Sequence, residues 1–455
     1  MKTLGLPLIF ILATIVCLPF MVQPSMASST IYIRADGSID PPSAPISTTN
    51  SIIYTLTNNI YDEIVVEKSD IVIDGASYTV QGSGTGNGFT LYSVTHVTIT
   101  NINIKNFEYG IYLESSSYNS IRRNNISGNS YDGIEVYFSS DYNNITENRI
   151  EANGWFGVGI LYSSNNTISA NDITNNDDGI DAYDASGTEI SKNSITGSGE
   201  FGIGLYSSSE NAIFLNDFVN NTQHVYSEYS TNRWDNGYPS GGNYWSDYDG
   251  TDSYSGPYQN VTGSDGIGDT KYSIDPDNLD NYPLMNPWIN LAVVDVLPSK
   301  SNVGEGYKLY ISVTVQNQGW NAQTTKLTVY VNTTIVGTIA SLALPKRSQA
   351  ILIFTWQTTP ALKGNYIISS TVDPIPNEPD VRDNNRTYGR IVKVTIVGDV
   401  NGDGVVDIYD AITLSNAFAS VPSSPTWNGN ADINSDNSVD IFDAILLAAN
   451  FGKKI

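Results

Sequence analysis

The stretch that decides the fold runs from Gly157 to Leu205, GVGILYSSNNTISANDITNNDDGIDAYDASGTEISKNSITGSGEFGIGL. Within it Gly157-Val158-Gly159-Ile160, Gly179-Ile180-Asp181-Ala182 and Gly202-Ile203-Gly204-Leu205 are one unit repeated, and two earlier copies stand at Gly110-Ile111-Tyr112-Leu113 and Gly133-Ile134-Glu135-Val136. Successive units start 23, 24, 22 and 23 residues apart. Each carries a second apolar point (Ile121, Ile145, Ile168, Ile190, Ile213) and a third (Ile126, Ile150, Ile173, Ile195, Phe218). Three short strands per unit, each contributing one or two inward side chains, describe one coil of a right-handed parallel β-helix.

Asparagines keep the same register. Asn124, Asn148, Asn171, Asn193 and Asn216 are expected to stack as a ladder of paired amides, as are Asn119, Asn143, Asn166 and Asn211, with Thr188 interrupting. Their reading is structural. Upstream, Ile64 to Val80 and Gly88 to Ile104 follow the beat more loosely, so the coils are expected to begin near residue 45. A solenoid needs capped ends, and residues 225–287, with Trp234, Trp245 and Gly-Asp-rich turns, read as the C-terminal cap.

Side chains alternate along a strand, so the residue two places after each unit glycine should face outward. That aligns Tyr112, Glu135, Gly159, Asp181 and Gly204 in one exposed column, beside Tyr109, Asp132, Phe156, Asp178 and Phe201 just before the glycines. Acids between rings make a plausible sugar groove. Tyr109, Tyr112, Phe156 and Phe201 would stack on sugar faces, and Glu135, Asp181, Asp178 and Asp132 are the candidate catalytic acids. Glu135 and Asp181 lie two coils apart, about 9.6 Å at twice the strand spacing, the upper end of the range for an inverting glycosidase pair. The alternative is that these are solvated acids and packing rings. In the cap, Asp247, Asp249, Asp252, Asp265 and Asp269 could hold a Ca²⁺ or satisfy turns; turns are favoured.

Coils followed by an aromatic, Gly-Asp-rich terminator resemble the carbohydrate-binding and sugar-hydrolase (CASH) β-helices and NosD-like proteins, related to the copper-assembly protein of nitrous oxide reductase, over about residues 45–287. The resemblance is specific for fold and weak for activity. Pectin-cleaving relatives carry His-Gly and Arg-x-Lys pairs that this chain lacks, although Asp177-Asp178 is present. Lyases need a basic residue beside Ca²⁺ carboxylates, and Arg122 and Arg123 have no such neighbours. His96 and His224 are the only histidines and Cys17 the only cysteine, a poor set for copper.

From Asn290 to Val397 alternating runs such as Tyr310-Ile311-Ser312-Val313-Thr314-Val315 mark an antiparallel sandwich. Phe354-Thr355-Trp356, Gly364-Asn365-Tyr366 and Asp383-Asn384-Asn385 make it resemble a CARDB-type immunoglobulin-like domain, which implies a spacer or adhesion role.

Near the C-terminus Asp399, Asn401, Asp403, Val405, Asp407 and Asp410 stand at positions 1, 3, 5, 7, 9 and 12 of a calcium loop, and Asp432, Asn434, Asp436, Ser438, Asp440 and Asp443 repeat the spacing 33 residues on. Gly404 holds the sharp-turn position in the first loop and Asn437 in the second. Each loop leads into one apolar helical stretch, so the segment resembles a type I dockerin with two Ca²⁺ sites. The resemblance implies a cohesin-type receptor contacted by loop positions 10 and 11, Ile408-Tyr409 and Ile441-Phe442.

At the other end Lys2, an apolar run from Leu4 to Val22 and Ser25-Met26-Ala27 read as a secretory signal peptide cleaved after Ala27, the alternative being a single membrane anchor, since the run is close to spanning length. The expected organisation is therefore leader 1–27, β-helix 28–224, cap 225–287, sandwich 288–397 and dockerin 398–455: mainly β, with a small α-helical tail. No second apolar span follows, so the mature chain should be secreted or surface-associated with no membrane span. Export without disulfides leaves repetition, packing and metal as the stabilisers. A net charge of −25 with no basic stripe excludes nucleic acid. Sequons occur at Asn125, Asn144, Asn165, Asn220, Asn260, Asn332 and Asn385. Three functions fit: a carbohydrate-binding or adhesion protein taking a polysaccharide or glycoprotein glycan, a polysaccharide-degrading hydrolase or lyase delivered by the dockerin, or a passive envelope scaffold.

Overall fold

One isoleucine at the centre of nearly every three-residue strand stacks the coils. In the computed structural model, which describes residues 30–359, 363–376, 378 and 381–455, the strands centred on Ile99, Ile121, Ile145, Ile168, Ile190 and Ile213 pair in parallel in a nine-stranded sheet. Those centred on Ile104, Ile126, Ile150, Ile173, Ile195 and Phe218 form an eight-stranded sheet. The unit glycines open or precede the longer strands of a ten-stranded sheet, among them Tyr109–Glu114, Ile134–Tyr137, Phe156–Leu161, Asp178–Tyr183, Phe201–Tyr206 and Gln223–Glu228. All the central isoleucines are buried, so each coil covers its neighbour's apolar face. The chain is mainly β: a parallel β-helix, then antiparallel sheets, then two short helices. The expected leader, residues 1–27, lies outside the described residues. No described helix is long and apolar enough to cross a membrane.

The coils begin earlier than the repeat suggests. Ile31–Ile33 pairs in parallel with Ile64–Val66, so the stack starts at Ile31 rather than near residue 45. Insertions between these first strands hide the period from the sequence.

The asparagine ladders are continuous hydrogen-bonded columns. Asn124 Nδ2 donates to Asn148 Oδ1 (3.1 Å), Asn148 to Asn171 (3.1 Å), Asn171 to Asn193 (3.0 Å), Asn193 to Asn216 (2.9 Å) and Asn216 to Asn243 (3.0 Å). Each amide also engages backbone, as Asn171 does with Ile145 O at 2.8 Å, which satisfies polar groups at the turns. Thr188 does not break the second ladder: its Oγ1 accepts from Asn166 N (3.3 Å) and its N donates to Asn211 Oδ1 (2.8 Å). The cost appears one atom away, where Asn166 Nδ2 is buried without a hydrogen-bond partner among the described residues. A third ladder, Asn129-Asn153-Asn176 at 2.9 Å per step, was not read from the sequence.

Beyond Gln223–Glu228 the chain closes the open end. Trp245 lies flat on Phe218 (4.4 Å between centroids) and under Tyr272 (4.3 Å), and Trp234 and Trp245 are fully buried. Their indole N–H groups donate to Asn278 and Asp280, both at 2.9 Å. Buried rings with satisfied N–H groups cover the apolar core at this end.

The sandwich sets Leu291–Pro298, Lys308–Asn317 and Gln349–Gln357 against Thr334–Leu344, Gln323–Val331, Ile368–Val372 and Asn385–Thr387, around Leu309, Ile311, Val313, Val315, Leu327 and Val329. It is seated on the solenoid through Trp288 and Trp320, which pack with Phe214, Leu215 and Leu284. Trp320 Nε1 donates to Lys192 O (3.2 Å) and Trp288 N to Asp217 Oδ1 (2.7 Å).

Helices α1 (Ile408–Ala417) and α2 (Ile441–Asn450) each open with a reciprocal capping box, Asp407 with Asp410 and Asp440 with Asp443. Val400, Val406, Leu414, Ile433, Val439 and Leu447 form their shared core.

Candidate functional site

The two C-terminal loops adopt the same hydrogen-bonded turn. Asp399 accepts from Gly402 N (2.8 Å) and Gly404 N (2.9 Å), Asn401 from Asp403 N (2.8 Å), and Asp403 from Val405 N (2.8 Å). Asp432, Asn434 and Asp436 repeat this on Asn437, Asp436 and Ser438. Asp410 and Asp443 are fully buried and each accepts from three backbone N–H groups of its loop. Gly404 and Asn437 both take positive φ, 95° and 68°, as the turn requires. Burial raises Asp410, Asp432 and Asp443 above the ordinary carboxylate range. Among the described residues no three acid, histidine or cysteine side chains are gathered as a formed metal site. The donor set is all oxygen and hard, with desolvated acids at its centre, and so fits Ca²⁺. Val405 would contribute only its carbonyl.

The sandwich grips these loops from behind. Lys300 Nζ donates to Asp432 O and to Ser435 Oγ (3.0 Å), Lys393 Nζ to Gly402 O, and Asn302 Nδ2 to Val400 O (3.0 Å). Ile408, Tyr409, Ile441 and Phe442 are exposed by 57%, 65%, 57% and 61%. Ile412 and Ile445 are exposed with them. They lie one helical turn beyond Ile408 and Ile441, a spacing legible in the sequence.

On the β-helix the expected columns are in register, Tyr112 with Glu135, Glu135 with Gly159, Gly159 with Asp181 and Asp181 with Gly204. They are not exposed, however: Glu135 and Asp181 are each 5% accessible, and Asp132 and Asp178 are buried too. Glycine in the next coil is the reason. Glu135 Oε2 folds into the space a side chain at 159 would fill, and Asp181 Oδ2 lies 2.5 Å from where a Cβ on Gly204 would stand. Phe156, Leu161 and Tyr206 then close around them.

Asp132 accepts from Phe156 N (3.0 Å) and Asp178 from Phe201 N (2.7 Å), whereas Glu135 Oε2 has no hydrogen-bond partner among the described residues. Burial, then the hydrogen bond with Asp132 and its charge, pushes Glu135 far up, so this pair holds a proton at neutral pH. Burial also lifts Asp178 to about 6 and Asp181 to about 7.

Rings border these acids on both sides. Tyr109, Tyr112, Tyr137, Tyr162, Tyr183, Tyr206 and Tyr226 follow one another with centroids 5.2–6.4 Å apart, and Phe201 adjoins Tyr226 at 4.9 Å. On the other side stand Tyr131 and Trp155, 4.8 Å apart, with Phe156 beside Trp155 at 6.1 Å. Tyr131, Trp155, Tyr162 and Tyr183 are the exposed members, and the sequence reading missed all four. Position two before the unit glycine, which holds Tyr131 and Trp155, and positions four and five after it, which hold Tyr183 and Tyr162, were the available signal.

Three of the cap acids hold loop backbone. Asp269 accepts from Ser253 N and Tyr254 N, Asp252 from Asp265 N and Gly266 N, and Asp265 from Ile267 N.

Three family models match the chain: periplasmic copper-binding protein (NosD) over residues 43–250, CARDB over 290–388 and dockerin type I domain over 397–451. The chain thus carries a NosD-type β-helix region, a CARDB domain and a type I dockerin domain. A dockerin is typically calcium-binding and implies a cohesin partner, and with a periplasmic family it points to an extracytoplasmic location. Among curated proteins none matches.

Similar solved structures include the CARDB domain of a Pyrococcus furiosus protein in complex with di-metal ions, 27% identical over 24% of this chain and 96% of that one, TM-score 0.22. The A-module of the Azotobacter vinelandii mannuronan C-5 epimerase AlgE4 is 18% identical over 38% and 57%, TM-score 0.31. A double mutant of the periplasmic alginate epimerase AlgG is 19% identical over 37% and 39%, TM-score 0.31.

Proposed function

We propose that this is an extracytoplasmic glycan-binding protein, held to a cohesin-type receptor by its calcium-ordered dockerin, which lays a polysaccharide chain along the ring-bordered face of its β-helix. The observation that carries this reading is the unbroken row of rings from Tyr109 to Tyr226, running coil by coil along the solenoid. Such a row offers apolar faces and hydroxyl edges to successive sugars. A net charge of −25 opposes polyanionic chains and favours neutral ones. The dockerin surface is Ile408, Tyr409, Ile412 and their counterparts Ile441, Phe442 and Ile445, with Ca²⁺ held in each loop by the six residues at positions 1, 3, 5, 7, 9 and 12, between Asp399 and Asp410 and between Asp432 and Asp443.

A second reading, glycoside cleavage, is favoured by the proton held between Asp132 and Glu135 and by Asp181 at about 7. A carboxylic acid kept protonated near neutrality beside an ionised one is an acid/base pair. Both pairs lie beneath the rings, so cleavage requires Phe156 and Leu161 to swing aside for Glu135, and Tyr206 for Asp181. A neutral glycan array with a reducing-sugar assay separates the readings. Binding without product supports the first; product release abolished by Glu135→Gln or Asp181→Asn supports the second. Absence of any glycan affinity would contradict both and leave a passive scaffold.

A further inference from the structure

The unit glycine exists because another coil sits on it. A Cβ at Gly110 would stand 2.5 Å from Gly133 O, and one at Gly202 would stand 2.6 Å from His224 O. The strand pairing carries this column through Gly88, Gly110, Gly133, Gly157, Gly179 and Gly202, and its next member is His224. The stack of this sheet ends there, so the column gains a side chain where no further strand forbids one. The imidazole projects toward the cap, near Phe218 and Trp245, each with its ring centroid 6.0 Å away. A cavity of about 530 Å³ remains beside it, lined by Asn220, Thr222, Gln223, Asp247, Tyr272 and Ser273 among others.

The hydrogen bonds fix the ring's protons. Asn221 Oδ1 accepts from Ser198 N (2.9 Å) as the end of an amide ladder, so its Nδ2 faces His224 Nδ1 at 3.3 Å and Nδ1 must accept. Burial holds the imidazole neutral, leaving the proton on Nε2, which points at Ser246 Oγ and Asp247 Oδ1, both 3.3 Å away. Tyr272 O–H donates to both oxygens of Asp247, at 3.1 and 3.2 Å. His224 therefore presents no lone pair to a cation. Asp247, with 61% of its side chain accessible, is a carboxylate oriented from behind by two donors, with acceptor capacity left toward the cavity.

We propose that this cavity is a second ligand site, which takes one neutral sugar unit by its vicinal hydroxyls. Two adjacent hydroxyls donate to the two oxygens of Asp247, and the Asn220, Thr222, Gln223 and Ser273 side chains serve the remaining polar edge. The volume lies within the range of small-molecule sites and suits a single ring. The site is built at the end of the solenoid from the repeat's terminal substitution and the cap, and does not depend on the ring-bordered face.

The test uses the full chain with methyl glycosides of glucose, galactose, mannose and N-acetylglucosamine, followed by titration calorimetry and saturation-transfer NMR. A second arm uses neutral hexasaccharides, to separate a free unit from the end of a chain. We expect saturable millimolar binding in at least one arm, weakened about tenfold or more by Asp247→Asn, the loss of a charge-assisted pair. Asp247 is largely exposed, so this variant should fold, and an unchanged circular dichroism spectrum would establish that it does. Tyr61→Ala, an exposed residue near the far end of the solenoid, should leave this binding unchanged. No saturation in either arm, or an affinity indifferent to Asp247→Asn, overturns the proposal. Methyl-glycoside binding lost through Tyr183→Ala and kept in Asp247→Asn would assign the single unit to the ring-bordered face and overturn the proposal equally.

Discussion

Glu135 and Gly159 occupy one register position on neighbouring coils, and the Glu135 carboxyl lies in the volume that any side chain at 159 would claim. A buried acid is thus made by an absent side chain in the next coil. Gly159→Ala should expel the carboxyl, at a cost of about 1–3 kcal/mol for overpacking. Thermal unfolding of the full chain measures this. An unchanged midpoint would mean the acid is not held there.

The acids of this face also set a pH dependence. Asp178 and Asp181 lie above their unfolded values, so folding favours their protonated forms. Their contribution is fully present below about pH 4 and is lost as pH rises through about 6 for Asp178 and about 7 for Asp181. Asp181→Asn should therefore stabilise the protein at pH 8 by a few kcal/mol at most and leave it little changed at pH 4. Denaturant midpoints at the two pH values check the sign; a larger gain at pH 4 would contradict it.

Thr188 offers the converse experiment in the ladder. Asn166 Nδ2 is buried without a partner among the described residues because the hydroxyl of Thr188 reaches only Asn166 N. Thr188→Asn should complete the column and stabilise by about 1 kcal/mol. Asn171→Ala, which removes bonds to Asn148, Asn193 and Ile145, should cost about 1–3 kcal/mol. Calorimetric unfolding of both variants would show opposite shifts.

Calcium should act on the tail. Adding it to the chelated full chain should raise the unfolding temperature of the C-terminal transition, since metal binding is coupled to folding. Asp410→Asn together with Asp443→Asn should remove the response. Lys300→Ala leaves Asp432 O and Ser435 Oγ without their buried donor and should lower the same transition, by about 1–3 kcal/mol.

The coils and calcium loops were legible because they repeat: one isoleucine per strand and one oxygen ligand at each required offset survive inspection of a single chain. The outward acids were placed on the correct face yet read as exposed, since accessibility there depends on which residue the next coil sets beside each carboxyl. Tyr131, Trp155, Tyr162 and Tyr183 escaped because they stand at different offsets from the unit glycine, two before it or four or five after it, and border one face only once the coils are stacked. The role of His224 was invisible until the end of the glycine column was known. The grip of Lys300 and Lys393 on the loops joins residues far apart in sequence, which no periodicity encodes.

The most direct measurement is the affinity of the full chain for neutral polysaccharides, compared with Tyr162→Ala/Tyr183→Ala, by affinity electrophoresis. Binding of at least one polysaccharide, reduced about tenfold or more by removing two stacking rings with folding intact, is the predicted result. Equal retardation of both proteins, or of neither, would contradict a glycan track on the β-helix.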